Sequence, residues 1–355
     1  MTGRALLYGA SGYTGREIAH ALAGEVDLVL AGRDSAKIRA VAEPLGLPWR
    51  SFALSDAAAI AAGLADIDVV LHAAGPFEDT AQPMIEGCLR TATHYLDLSG
   101  EWPVFVAIMA QDAAARAAGV MLLPGVGLTI AATDCLLARA VETWPGTVRL
   151  CLGISRAQAI SRGSVASAAR LLDPHALIRR DGLLTAVPAG SLTRAFDFGG
   201  GLSEATATSW ADIVTGEFTT GVRNIEVYSQ TRWPERAATR IGGLTMGMTG
   251  SGPWRAAGGI FAQAWPETPS ARVRASAWFA MVVEAFDPWR RVRRLRMDTF
   301  DGYGASVLTA VEALRRVLAG TAPPGFQTPA RAFGSNFVVE AGAAAFEAGN
   351  ARTAA

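Results

Sequence analysis

Residues 6–15 read Leu-Leu-Tyr-Gly-Ala-Ser-Gly-Tyr-Thr-Gly (LLYGASGYTG), and the reading of this stretch decides the fold. A short apolar run, Ala5 to Tyr8, breaks at Gly9, and glycine returns at Gly12 and Gly15. A helical pattern follows, with Ile18 and Leu22 on one face and alanines filling in around them. Strand, glycine turn and helix in that order place an anion at a helix N-terminus, where N–H groups and a partial positive charge await it. The first glycine permits a tight turn, the second lets a pyrophosphate approach closely, and the third lets helix pack closely on strand. Gly9, Ala10, Ser11, Gly12, Tyr13, Thr14 and Gly15 are therefore the expected dinucleotide cradle, in a GxxGxxG variant of the commoner GxGxxG spacing.

A second strand, Val26 to Leu30, runs into Ala31-Gly32-Arg33-Asp34. At this point of such a fold an acid selects a free ribose 2′-hydroxyl, whereas an arginine accommodates a 2′-phosphate. Asp34 can serve as that acid or as the N-cap of the helix that follows. Arg33 tips the reading to NADP(H) over NAD(H). Further on, the strand Asp68 to Leu71 ends in His72-Ala73-Ala74-Gly75-Pro76-Phe77, and the strand Tyr95 to Leu98 ends in Ser99-Gly100-Glu101. A helix over Pro103–Ala118, closed by Gly119, leads to a strand at Val120–Leu123. Strands alternating with helices predict an α/β, doubly wound parallel sheet. The ligand should lie at the C-terminal strand ends, beside Gly9, Arg33, Ala74, Gly75, Pro76, Phe77, Ser99 and Gly100.

Past Trp144-Pro145-Gly146 the period changes. Val148, Leu150, Leu152 and Ile154 alternate with Thr147, Arg149, Cys151 and Gly153, and similar alternation recurs at Asn224–Tyr228, Arg272–Phe286 and Arg291–Met297. This predicts a mostly antiparallel sheet with one exposed face, hence an α+β second domain. Near the end, Val307, Leu308, Val311, Leu314 and Leu318 form an amphipathic helix. The expected organisation is a nucleotide-binding domain over 1–146, a substrate or dimerisation domain over 147–300, and a C-terminal helix and tail over 301–355. The exposed sheet face would suit a homodimer.

With 355 residues, half of them hydrophobic (50 %) and 18 % charged, the chain reads as globular. A formal net charge of zero gives no reason to expect nucleic acid as a partner. Three scattered cysteines, Cys88, Cys135 and Cys151, read as reduced core thiols in a cytoplasmic protein, and no signal peptide is expected ahead of the first strand. The hydrophobic stretch Ile241–Trp265 is too interrupted by glycine, proline and Arg255 to span a membrane, though a peripheral lipid contact is compatible with it.

Taken together, YGASGYTGREIA, LAGRDSAKI, HAAGPF, HYLDLSGEW, LLPGVGLTIAATDCL, SRGSVAS, RNIEVY and DGYGASVLTAVEALRRVL with GFQTPARAFG resemble the saccharopine dehydrogenase-like NAD(P)-binding oxidoreductases. That family includes saccharopine reductases and the trans-acting enoyl reductases of lipid assembly. The resemblance implies an N-terminal Rossmann domain, a substrate domain, and a C-terminal helix packed back on the Rossmann part. It also implies that the glycine turn and Arg33 hold the pyrophosphate and ribose phosphate, with Gly75-Pro76-Phe77 and Ser99-Gly100-Glu101 near the nicotinamide. One departure is LTIAATDC, where many relatives read closer to F-D-x-x-P-S-D: Thr133 and Asp134 fit, but the proline is missing.

Hydride transfer rests mostly on geometry, with an acid where the reduced group gains a proton. The catalytic candidates are Glu101, Tyr95 and Asp97, with His72 behind them. Each has a plainer reading: Glu101 at a helix start, Tyr95 as a core aromatic, Asp97 as a loop-fixing acceptor, His72 as a satisfied strand end. Ser161-Arg162-Gly163-Ser164 opens a helix, so Arg162 and Ser164 could take a substrate carboxylate or merely cap, and Tyr228 could line the same cleft. The four histidines show no metal-site spacing, so no metal is expected. The lone Lys37 excludes a Walker A loop and a short-chain reductase Tyr-x-x-x-Lys pair, and GASGY is not a hydrolase elbow. The expected function is NADP(H)-dependent reduction of a C=N or C=C bond in a small or lipid-like metabolite, or the reverse oxidation. The rival from another class is an NADP(H)-binding sensor or scaffold without turnover.

Overall fold

The structure is a computed structural model and describes residues 3–156, 162–266, 277–299 and 302–347. The chain divides into two compact units, one formed by residues 1–131 and 303–343 and the other by 132–302 and 344–355. The two units divide within a helix, α7 (Leu128–Thr143), ahead of the expected border at Gly146; its second half packs in the second unit, where Leu137 meets Gly216. The C-terminal segment is shared, with Tyr303–Ala343 in the first unit and Ala344 onward in the second.

The first unit is built on β1 (Arg4–Tyr8), α1 (Tyr13–Leu22), β2 (Asp27–Gly32), α2 (Ser35–Leu45), β3 (Trp49–Ser51), α3 (Ala57–Leu64), β4 (Val69–His72), α4 (Phe77–Thr91), β5 (His94–Asp97), α5 (Trp102–Met109), α6 (Asp112–Ala118) and β6 (Met121–Leu123). All strands pair in parallel, in the order β6-β5-β4-β1-β2-β3. This is the doubly wound α/β sheet predicted. Strands flanked by helices on both faces need near-continuous apolar runs, and Ala5–Tyr8 of β1, Val69–Leu71 of β4 and Met121–Leu123 of β6 supply them, all buried. The single helix expected over Pro103–Ala118 is two, because Ala110 and Gln111 break it. A seventh strand of two residues, Gly325–Phe326, extends the sheet beside β6. It belongs to the C-terminal segment and gave no sequence signal.

In the second unit, β7 (Arg149–Ile154), α8 (Arg162–Arg170), β8 (His175–Arg180), β9 (Leu183–Pro188), β10 (Thr193–Asp197), β11 (Leu202–Ala207), α9 (Asp212–Thr220), β12 (Ile225–Gln230), α10 (Trp233–Thr249), α11 (Gly252–Ala264), β13 (Phe279–Phe286) and β14 (Val292–Thr299) follow in order. The sheet is antiparallel except for the pair β12–β7, which is parallel. Of the alternation predicted over Arg272–Phe286, residues 272–276 lie outside the described residues. The expected exposed face is covered. Register puts Cys151, Gly153, Tyr228 and Val282 on it, and Phe196, Phe198 and Ala176 close over them into a core. Gly153 makes the closure work, since a Cβ there would stand 2.6 Å from the Phe196 ring. The argument for a homodimer from an open sheet face therefore falls.

Candidate functional site

Strand order reverses between β1 and β4, so their C-terminal ends open a crevice where ligands of such sheets sit. Gly9 lies at its mouth with φ +92, and a Cβ there would stand 2.8 Å from the carbonyl carbon of Ala73 and from the Ala74 nitrogen. The Gly9 and Ala10 N–H groups donate to the Ala31 carbonyl (2.8 and 3.3 Å), and the Gly12 N–H donates to Gly9 O (3.0 Å). At Gly15 a Cβ would stand 2.3 Å from Gly9 O, so helix α1 reaches the turn only because no side chain intervenes. Gly12 is different. It is exposed, and its missing Cβ would meet only Gly9 O, at 3.3 Å. Gly9 and Gly15 are thus required by the fold, whereas Gly12 keeps space open above it. Among the described residues no side chain caps α1 and no acid stands in its first turn, which leaves its positive end toward the crevice. The cradle fits a dinucleotide pyrophosphate.

At the end of β2, Asp34 Oδ1 accepts the Lys37 backbone N–H (3.1 Å) and caps α2. The acid that could have chosen NAD(H) is committed to the helix. Arg33 is exposed and has no carboxylate partner among the described residues.

The loop after β4 is held by Thr80, whose hydroxyl donates to the Ala74 carbonyl (2.8 Å) and the Pro76 carbonyl (3.0 Å); the Gly75–Pro76 peptide is cis. The loop after β5 is organised by Asp97. Its Oδ1 accepts the Ser99 N–H (2.8 Å), the Ser99 hydroxyl (2.6 Å) and the Gly125 N–H (2.9 Å), while Oδ2 accepts the Tyr95 hydroxyl (2.8 Å). Burial lifts the Asp97 pKa to about 6 against these donors, so it stays charged at neutral pH. Burial also drives the Tyr95 phenol well above its usual value. Both side chains are sealed, so Tyr95 and Asp97, expected as catalytic candidates, form instead the fastening between the turns after β5 and β6. Ser99 is part of that fastening. Glu101 begins α5, is 4 % exposed, and accepts the Gly100 N–H at Oε2 (2.9 Å). His72 is buried among Tyr8, Phe77 and Tyr95, and neither ring nitrogen has a partner. Burial lowers its pKa to about 3, which keeps it neutral.

The expected substrate residues do not gather. Tyr228 is buried at 1 % exposure, and its hydroxyl donates to Glu226 Oε2 (2.6 Å), which also takes Arg149 (2.7 Å). A phenol so enclosed braces the sheet and does not line a cleft. Arg162 donates from Nε to the Trp265 carbonyl (2.8 Å), tying α8 to the end of α11. Ser161 and the Ser164 side chain lie outside the described residues. The sequence reading missed a pocket of about 540 Å³ at the ends of β7 and β12, lined by Ser155, Arg156, Ser203, Glu204, Gln230, Thr231, Arg232, Glu235 and Trp278. It also missed Asp212, fully buried with both oxygens unpartnered. Neither stands in a motif, so only the fold could assemble them. No metal-binding cluster occurs among the described residues, and no described helix is long and apolar enough to cross a membrane.

Residues 5–123 match the family model for the saccharopine dehydrogenase NADP binding domain. Trans-acting enoyl reductases of Mycobacterium leprae and Mycobacterium tuberculosis (strain H37Rv) are each 35 % identical, over 104 and 105 residues. The match spans 27 % of this chain and 25 % of each relative. Apo saccharopine dehydrogenase (L-Glu forming) from Saccharomyces cerevisiae shares the fold across 98 % of this chain and 100 % of its own, with a TM-score of 0.65 at 13 % identity. Homospermidine synthase of Legionella pneumophila, solved with NAD, does so across 98 % and 92 %, with a TM-score of 0.66 at 8 % identity.

Proposed function

We propose, from a chain whose residues 5–123 match the model of the saccharopine dehydrogenase NADP binding domain, that this protein is an NADP(H)-dependent oxidoreductase of that family. Its reaction is reduction of a C=N or C=C bond in a small or lipid-like metabolite, or the reverse oxidation. The observation that carries the cofactor preference is the division of labour at the end of β2, with Asp34 spent as a helix cap and Arg33 left without a carboxylate partner. The loop Gly9–Gly15 and the N-terminus of α1 hold the pyrophosphate, and Arg33 takes the 2′-phosphate. Ala74 to Phe77 and Gly100 flank the nicotinamide, which when bound supplies or accepts a hydride. Tyr95, Asp97 and Ser99 fix the loop that carries Gly100. Glu101 handles the proton of the reduced group, its Oε2 oriented by the Gly100 N–H. Free, buried cysteines suit a cytoplasmic setting for this chemistry.

Titration of the purified chain with NADPH and NADH, read by nicotinamide fluorescence, tests the cofactor half. NADPH should bind in strong preference, and binding of neither would overturn the reading. The chemical half is tested by turnover on a panel of imines and enoyl compounds, where Glu101→Gln should lower kcat while leaving NADPH affinity in place. Binding without turnover across the panel would favour the sensor.

A further inference from the structure

We infer that the consecutive helices α10 and α11 dock on a lipid bilayer that carries anionic headgroups. The inference is independent of the cofactor reading. On α10, Trp233, Ile241, Leu244 and Met248 fall on one stripe and are 71, 62, 66 and 88 % exposed. On α11, Ile260 and Phe261 stand 70 and 57 % exposed. The opposite faces are where the helices attach. A Cβ on Gly243 would stand 3.0 Å from the Ala189 Cβ, and one on Gly258 would stand 2.7 Å from the Ala169 Cβ. Small residues therefore seat both helices on their neighbours and turn the large apolar side chains away from the core. Such a concentration of large exposed apolar groups marks a surface that something covers.

Charge says what covers it. Across α10 and α11 the sequence holds Arg236, Arg240 and Arg255 against a single acid, Glu235, which is paired with Arg156, while tryptophans stand at Trp233, Trp254 and Trp265. Arg236 pairs with Glu204 and Arg255 lies 3.7 Å from Asp173, but Arg240, one residue before Ile241 at the edge of the stripe, has no carboxylate partner among the described residues. Apolar stripes bordered by arginine and ended by tryptophan are the pattern of helices lying in a membrane interface, drawn there by anionic lipid. Neither helix is long and apolar enough to cross, so the inferred docking is along the bilayer surface.

Co-sedimentation of the full chain with vesicles of phosphatidylcholine alone, and of phosphatidylcholine with phosphatidylglycerol, tests the inference. The chain should pellet with the phosphatidylglycerol vesicles, less so as salt rises. Leu244→Glu with Met248→Glu, both at exposed positions, should weaken that binding roughly tenfold or more with an unchanged circular dichroism spectrum. Equal binding to phosphatidylcholine alone, no vesicle binding, or full binding by the double variant would overturn it. So would a dimer in sedimentation equilibrium that the double variant dissociates without any vesicle binding, since the stripes would then cover a second copy.

Discussion

Gly12 and Gly15 look alike in the sequence and do different work. At Gly15 a methyl group would collide with Gly9 O at 2.3 Å, so any substitution there damages the packing of α1 on the sheet. At Gly12 a Cβ would meet Gly9 O alone, at 3.3 Å, a contact that a shift of a few tenths of an ångström relieves. Gly12→Val should therefore leave the melting temperature nearly unchanged while weakening NADPH and NADH alike by roughly tenfold or more, because the isopropyl group fills the room a pyrophosphate needs. Unchanged affinity, measured by the same fluorescence titration, would discredit the cradle. Arg33→Ala makes the complementary test. A guanidinium on a phosphate is a charge-assisted contact, so its loss should weaken NADPH by about tenfold to a hundredfold and NADH by no more than about twofold. Equal losses would remove Arg33 from the phosphate site.

Asp97 shows how elements are fastened to each other. Its four donors come from the strand it ends, the loop after it and the turn after β6, so one carboxylate fixes two loops at the crevice. Asp97→Ala leaves those donors buried without an acceptor and should cost about 2–4 kcal/mol in urea denaturation. Asp97→Asn, which keeps one acceptor oxygen, should cost less. Equal stability of both variants and the parent would show that the loops hold themselves. Sequence made Asp97 legible as a loop-fixing acceptor but not its bond to Gly125, which lies 28 residues away. The inner strands β1, β2, β4 and β6 of the first sheet could be read because each carries an apolar run ended by glycine or a short turn, whereas the edge strand β3, Trp-Arg-Ser, has none and gave no sequence signal. The second sheet misled, because alternation measures polarity and not exposure. Cys151, Glu226 and Tyr228 are polar yet lie inside, bonded to one another and to the half-exposed Arg149, and Phe196 reaches Gly153 from the far edge strand. The two-residue strand Gly325–Phe326 is too short to carry a period at all.

At the scale of the whole molecule, the unpartnered Asp212 ties stability to pH. Burial raises its pKa from 3.8 to about 7; Thr133 opposes the rise and the Asp134 charge adds to it. Neither oxygen has a partner in hydrogen-bond geometry. Because the folded state holds this proton more tightly than the unfolded chain, its contribution is fully present below about pH 4 and is lost as pH rises through about 7. That is opposite in sign to the usual paired carboxylate. Urea denaturation of the full chain at pH 5 and pH 8.5 measures it against Asp212→Asn, which cannot ionise. At pH 5 the variant should already lead by on the order of 1 kcal/mol, because the unfolded carboxyl is ionised there while the folded one still holds its proton. At pH 8.5 that lead should have grown by about a further 2 kcal/mol, since the variant escapes a buried charge beside Asp134. Curves that stay parallel across the range would mean that Asp212 is already ionised and paired at pH 5, and the isolation of its carboxylate would be disproved.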